Sequence, residues 1–149
     1  MQKLGGNEAH RVGPAVKLPT FLMKRPKTER LRVLKVFQAG SQTEGLIALK
    51  DINCPKSREF VALKTGNVKV GFAAVDGITD EKSHMRIAKR AAHAGVAAYS
   101  AKKVVDGPDP MLEGLVLSRH EVVQCMATME IQHRVAAGKF AAEAMHNGQ

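Results

Sequence analysis

The sequence predicts an α+β fold in three parts: an extended basic N-terminal arm, a small antiparallel sheet with a β-hairpin, and a C-terminal antiparallel helical hairpin. Cations, glycines and prolines crowd the first 30 residues, and apolar residues alternate near residue 70. After residue 80, apolar residues recur at three- and four-residue steps. Such consecutive blocks are typical of segregated α+β domains. We predict an arm over residues 1–30 and a single α+β domain over residues 31–149.

Length and composition set the limits of the fold. The chain has 149 residues, which suits one domain, and we detect no internal repeat. With no Trp, one Tyr and five Phe, its core must be built from Ala, Val, Leu and Met. The net charge of +9 is uneven, because residues 1–35 hold nine Lys/Arg against two Glu, whereas residues 107–149 hold three against five acids. This gradient predicts an anionic partner at the N-terminal end.

Residues 1–27 form the arm, with two consecutive glycines, a third glycine and three prolines. A free segment of this composition is disordered. Phe21, Leu22 and Met23 form a short apolar anchor, which indicates that the arm docks on a partner.

The cations of the arm are the principal candidate binding site. Clustered cations suit phosphates, because each neutralised phosphate releases counterions. Contacts would be mainly to the backbone, since only Phe21 and Phe37 are placed to stack on bases. An acidic protein and anionic lipid are the alternatives. The predicted nucleic-acid-binding residues are Arg11, Lys17, Lys24, Arg25, Lys27, Arg30, Arg32, Lys35, Lys89 and Arg90.

The predicted strands lie within residues 31–75. Residues 28–38 are ambiguous between a strand and a short helix that Thr28 would cap, and their Val content favours the strand. Residues 45–49 suit a short buried strand. Residues 59–64 and 68–75 form the hairpin, with Gly66 supplying a positive φ in its turn.

Two helices are predicted after the sheet, over residues 80–105 and 111–145. Thr79 is the expected N-cap of the first helix, and the Asp-Gly-Pro-Asp-Pro segment at 106–110 ends it. The second helix carries an apolar stripe with more apolar surface than one hairpin covers, which implies a partner helix. Burial against the protein's own sheet is the alternative. The predicted interface residues are Leu115, Val122, Met126, Met129, Ala136 and Phe140.

Two Glu-x-x-His pairs suggest a metal site. Glu81 and His84 lie on the first helix, and Glu130 and His133 lie on the second. Residues three apart share a helical face, and paired copies on facing helices form the di-metal site of ferritin-like bundles. A capping acid and interface histidines are the more ordinary interpretation, so we expect no cofactor.

Two cysteines bear on the compartment. Cys54 and Cys125 fall in no zinc or redox spacing, so a reducing compartment is expected, either the cytosol or an organelle such as the mitochondrion. No apolar run reaches the roughly 18–20 residues that span a bilayer. We therefore expect no transmembrane segment.

Together these patterns predict a non-enzymatic basic structural subunit of a large assembly. The favoured assembly is a ribonucleoprotein of ribosomal type, in which the arm contacts RNA and the helical hairpin docks on neighbouring protein subunits. The alternative is a protein-only assembly, such as a phage, secretion, flagellar or respiratory complex. A dimeric helical metal-binding protein is the third hypothesis.

Overall fold

A computed structural model describes residues 17–140, and over this range the chain is all-helical, with 68% of residues in helices and none in strands. The predicted α+β fold, with its sheet and β-hairpin, is therefore wrong. The chain divides into two compact units, residues 1–79 (unit 1) and residues 80–149 (unit 2). The parts of the predicted arm and last helix at 1–16 and 141–145 lie outside the described residues.

The described part of unit 1 contains five helices. They are α1 (Thr20–Met23), α2 (Lys27–Phe37), α3 (Gln42–Leu49), α4 (Pro55–Lys64) and α5 (Val68–Asp76). α2 packs against α3, and α4 packs against α5. In addition α2 contacts α4, and α3 contacts α5, so two helix pairs stack on each other.

Unit 2 repeats this scheme with four helices in its described part. They are α6 (Glu81–Arg90), α7 (Ala94–Lys102), α8 (Asp109–Leu115) and α9 (Glu121–Ala136). α6 packs against α7 and α8 against α9, while α6 also contacts α8 and α7 contacts α9. Each unit, taken by itself, is a pair of helix pairs.

The second helix of each pair begins at a recurring capping position. Ser41 Oγ accepts the amide of Glu44 at 3.2 Å, and Asn67 Oδ1 accepts the amide of Val70 at 3.0 Å. His93 Nδ1 accepts the amide of Gly95 at 2.9 Å. Ser41, Asn67 and His93 are 26 residues apart, so the caps predict helix starts at a fixed period.

Buried positions follow the same period. A small residue lies four positions after each cap, at Gly45, Gly71 and Ala97. Each first helix buries one aliphatic side chain completely at intervals of 28, 26 and 28 residues: Val33, Val61, Ile87 and Leu115. The chain is thus built from four helical repeats, which corrects the expectation of no internal repeat.

The predicted β-hairpin is the clearest case of local preference yielding to packing. Val70, Gly71, Ala74 and Val75 are buried, which is a helical rather than an alternating pattern. Tertiary contacts outweigh the modest β-preference of valine. Gly66 lies between α4 and α5 without the predicted positive φ, which among the described residues occurs only at Gly138.

The predicted helical hairpin is also wrong, because each long helix is interrupted. α6 ends at Arg90, where Ala91 is extended, and α7 starts after His93. The second interruption separates α8 from α9 and is bonded to the end of α6. There Ser118 Oγ donates to the Ala88 carbonyl at 2.8 Å, and the Arg119 amide donates to the Lys89 carbonyl at 3.1 Å.

The N-terminal boundaries shift as well. The N-cap of α6 is Asp80 rather than Thr79, with Asp80 Oδ2 accepting the Ser83 amide at 3.0 Å. The apolar anchor of the arm forms α1, in which Leu22 is fully buried, so the arm is helical rather than extended there. No helix within residues 17–140 has the length and apolar character needed to cross a membrane, which agrees with the prediction of no transmembrane segment.

Candidate nucleic-acid interface

The outer face of α2 carries three of the predicted phosphate-binding cations. Lys27, Arg32 and Lys35 are exposed, and at 100° per residue they fall within an arc of about 140°. The opposite face, with Val33 and Phe37, is buried in unit 1. Amphipathic patterning therefore orients these cations toward solvent.

Several cations of unit 1 are available for an external anion. Within the described part of the chain, these exposed side chains have neither a hydrogen bond nor an ion pair with the protein. Three of them, Lys24, Lys56 and Lys64, lie outside α2. The complete set is Lys24, Lys27, Arg32, Lys35, Lys56 and Lys64.

Two of the predicted cations have internal roles instead. Arg30 Nη1 donates to the carbonyl oxygens of Arg25 at 2.8 Å and Met23 at 3.3 Å, so it holds the turn between α1 and α2. Arg25 Nη1 lies 3.7 Å from Glu29 Oε1. These contacts reduce the contribution of both arginines to a ligand site.

Glu29 joins the first helices of the two pairs in unit 1. Ser57 Oγ on α4 donates to Glu29 Oε2 at 2.6 Å. This hydrogen bond, more than the Cys54 thiol and the charges of Arg25 and Arg32, lowers the pKa of Glu29, against an opposing effect of burial. An ionised Glu29 therefore fastens the cationic α2 to α4.

Arg58 is a structural cation. Its Nη1 donates to the carbonyls of Ile52 at 2.8 Å and Leu49 at 3.4 Å, and its Nη2 donates to the Ala73 carbonyl at 2.8 Å. Burial lowers the pKa of Arg58, and the nearby Asp76 carboxylate opposes this effect. The guanidinium thus connects the carboxyl-terminal ends of α3 and α5, where a positive charge is favoured.

The room for Arg58 comes from Gly77. A Cβ at this position would lie 2.0 Å from Arg58 Nε, which is itself buried and, among the described atoms, without a hydrogen-bond partner. The sequence alone did not predict a role for Arg58, and the signal for one was its place on the polar-to-apolar boundary of an amphipathic helix.

The remaining predicted cations lie apart from this face. Lys89 is half-buried and Arg90 is exposed at the end of α6 in unit 2, and Lys17 is exposed just before α1. Arg11 lies outside the described residues. The structure therefore brings together the α2 cations but leaves their relation to Lys89 and Arg90 open to experiment.

The predicted interface residues divide into core and surface. Leu115 and Phe140 are buried within unit 2, so they belong to its core. On α9, Val122 and Met129 are largely exposed. Met126 lies between them and is half-buried, and Ala136 is exposed further along the helix. These four residues remain the candidate contact surface.

The two Glu-x-x-His pairs serve different contacts. Ser100 Oγ donates to the His84 carbonyl at 2.9 Å, so His84 Nδ1, 3.2 Å away, must donate to Ser100 Oγ. Glu130 is instead paired with Arg134. Within residues 17–140, no three His, Cys, Asp or Glu side chains are grouped to hold a metal ion. The hairpin that would have paired the motifs is replaced by four shorter helices.

Arg134 forms an ion-pair network that was not predicted from the sequence. Its Nε donates to Glu130 Oε2 at 2.8 Å, and its Nη1 donates to Asp109 Oδ1 at 2.8 Å. Its Nη2 donates to the Val105 carbonyl at 3.2 Å. The hydrogen bond from Glu130, followed by that from Asp109, raises the pKa of Arg134. The four-residue spacing of Glu130 and Arg134 was the available signal.

A second feature that the sequence did not predict is an apolar groove of about 590 Å³ between α3 and α5. Its walls are largely aliphatic, and its two charged residues are both cations. The lining residues are Thr43, Leu46, Ile47, Leu49, Lys50, Arg58 and Ala73.

Comparison of the chain with protein-family models, curated proteins and solved structures found no match. The function is therefore argued from the surfaces of the molecule alone.

Proposed function

We propose that this protein is a non-enzymatic structural subunit of a ribonucleoprotein, in which the cationic first helices of unit 1 hold RNA phosphates. The observation that carries the proposal is the set of exposed, internally unpaired cations on α2 and α4. A cation without an internal partner keeps its full charge available to an external anion.

The charge of unit 1 supports this proposal. Residues 1–79 contain fourteen Lys/Arg and six Asp/Glu, a net charge of +8, whereas residues 80–149 contain nine and eight. Lys27 and Lys35 are eight residues apart, which corresponds to about 12 Å along the helix. A row of cations over this length matches an extended phosphate backbone, and counterion release makes such binding favourable and sensitive to salt.

Aromatic placement favours backbone contacts over base recognition. Phe37 and Phe60 are buried against each other, with ring centroids 5.8 Å apart in an edge-to-face arrangement. Within residues 17–79 the other two phenylalanines, Phe21 and Phe72, are half-buried. Bases gain affinity by stacking on exposed rings, so we expect binding with little sequence preference.

The test is the salt dependence of binding to a fluorescent RNA oligonucleotide, measured by anisotropy. Lys27→Ala/Arg32→Ala/Lys35→Ala should lower the slope of log K against log salt by about 0.7 to 0.9 for each phosphate that the variant no longer neutralises. The matched control is Lys102→Ala/Arg119→Ala/Lys139→Ala, which removes three exposed cations from unit 2.

The control triple variant should keep nearly the wild-type slope, because it changes the net charge equally without touching α2. Equal slopes for both triple variants would show that only overall charge matters. No measurable binding by the wild type at low salt would refute the RNA proposal.

The second candidate is a protein-only assembly, and the exposed apolar residues of α9 favour it. Val122 and Met129 lie on one face of this helix and are largely exposed within their own unit. For either assembly we propose a reducing compartment, cytosolic or organellar. Cys54 and Cys125 form no disulfide, although Cys125 is exposed rather than buried.

A further inference from the structure

The groove of unit 1 is an apolar surface with one sign of charge. Ile47, in its wall, is 58% exposed although it is a large aliphatic residue. Lys50 and Arg58 are the charged residues of its lining. A groove between two helices typically accepts the apolar face of an amphipathic helix. This groove therefore fits a helix with an aliphatic stripe and an acidic end.

The same chain carries such a helix in unit 2. Val122, Met126 and Met129 fall within an arc of about 60° on α9, at 100° per residue. Val122 is 44% and Met129 is 68% exposed. Glu121, at the first position of α9, is also exposed. We call Val122, Met126 and Met129 the α9 stripe.

The groove and the α9 stripe agree in length and charge. Thr43 to Lys50 along the groove and Val122 to Met129 along the stripe each span seven residues, or about 10 Å. If α9 of another copy runs antiparallel to α3, its Glu121 lies beside Lys50. This direction also places the positive N-terminal end of α9 near the negative C-terminal end of α3.

From this complementarity we infer that the α9 stripe of one copy docks in the α3–α5 groove of a second copy. The interface is heterologous, because it joins two different surfaces of the same chain. Repetition of such a contact builds a ring or an open filament. The inference is independent of RNA binding and concerns how copies of this subunit contact each other.

Sedimentation velocity of nuclease-treated protein over a concentration series tests this contact. The wild type should associate as its concentration rises. Ile47→Glu and Met129→Glu each place a charge in one half of the contact, and each variant alone should associate at least about tenfold more weakly. Both side chains are exposed, so both variants should fold, as circular dichroism melting would verify.

Mixing the two variants is the decisive step. The Ile47→Glu copy keeps an intact α9 stripe, and the Met129→Glu copy keeps an intact groove, so an equimolar mixture should form a heterodimer through one wild-type interface. Val135→Glu is the control, since Val135 is also exposed on α9 but lies about 120° around the helix from Met129. This control variant should associate like the wild type.

Three results would overturn the inference. The first is a wild type that stays monomeric throughout the concentration series. The second is a mixture of the two folded variants that remains monomeric, since that excludes a groove-to-stripe contact. The third is loss of association in the Val135→Glu control equal to that of Met129→Glu.

Discussion

Units 1 and 2 share one packing scheme but present different surfaces. In unit 1 the cations of α2 and α4 face solvent without internal partners, and the net charge is +8. In unit 2 Arg134 is bonded to Glu130 and Asp109, and the net charge is +1. Among the described residues, large exposed apolar side chains are more numerous in unit 2. The repeat determines the core, whereas the residues outside the core determine the partner.

The largest effect tests whether the repeat core is equally essential in unit 2. Leu115 occupies the buried repeat position and is 0% exposed, so Leu115→Ala should lower the free energy of unfolding by about 2–5 kcal/mol. Urea denaturation would measure this loss. Leu117→Ala is the matched control, because Leu117 is 74% exposed and its truncation should change stability by less than about 0.5 kcal/mol.

Similar losses for Leu115→Ala and Leu117→Ala would contradict the assignment of Leu115 to the core. A small loss for Leu115→Ala, together with weaker self-association, would instead restore its predicted role in an interface.

The next effect tests the fastening of unit 1 by Arg58. Gly77→Ala puts a Cβ against the guanidinium, which must shift away from the carbonyls it holds, so the free energy of unfolding should fall by roughly 2–3 kcal/mol. In an Arg58→Ala background the same change should cost much less, because the clash is gone. Thermal unfolding of the four proteins gives this coupling energy.

Gly66→Ala is the control for Gly77→Ala. A Cβ at Gly66 meets nothing within 4 Å and its φ is not positive, so we expect little change or a slight stabilisation. Additive effects of Arg58→Ala and Gly77→Ala would refute the proposed contact.

The smallest effect concerns the hydrogen bond between α2 and α4. Ser57→Ala should cost about 1–2 kcal/mol at neutral pH, because the ionised Glu29 loses its donor. Since the folded-state pKa of Glu29 lies below its ordinary 4.5, this stability is fully present above that value and is lost as pH falls through the folded pKa. Unfolding curves between neutral and acidic pH would measure the difference.

Ser118→Ala provides the comparison in unit 2. Ser118 Oγ donates to a backbone carbonyl, so its loss should destabilise the protein equally at all these pH values. An acid-insensitive cost of Ser57→Ala would show that Glu29 is not the partner that matters.

The helical stop and start signals after residue 76 were largely readable from the sequence, whereas the helices of unit 1 were not. The Asp-Gly-Pro segment at 106–110 does separate two helices. Short valine-rich helices such as α5 resemble strands locally, since only contacts with α3 and α4 decide between the two periods. The 26-residue recurrence of Ser41, Asn67 and His93 carried this information, because capping residues mark helix starts whatever the propensity that follows.

The cations of the candidate site were predicted individually, but their division into surface and structural roles was not. Lys27 and Arg30 look alike in sequence, yet Arg30 is bonded to two carbonyl oxygens and Lys27 faces solvent. Such roles depend on where neighbouring carbonyl groups lie, which requires the packed structure. The role of Arg58 could not be predicted for the same reason.

The most direct test of the central proposal is sedimentation of the native-source protein, with and without RNase, in moderate and high salt, read at 260 and 280 nm. The account predicts a large particle rich in 260 nm absorbance that RNase or high salt disperses. A large particle unaffected by RNase and without nucleic-acid absorbance would contradict it, and the α9 stripe would become the main binding surface.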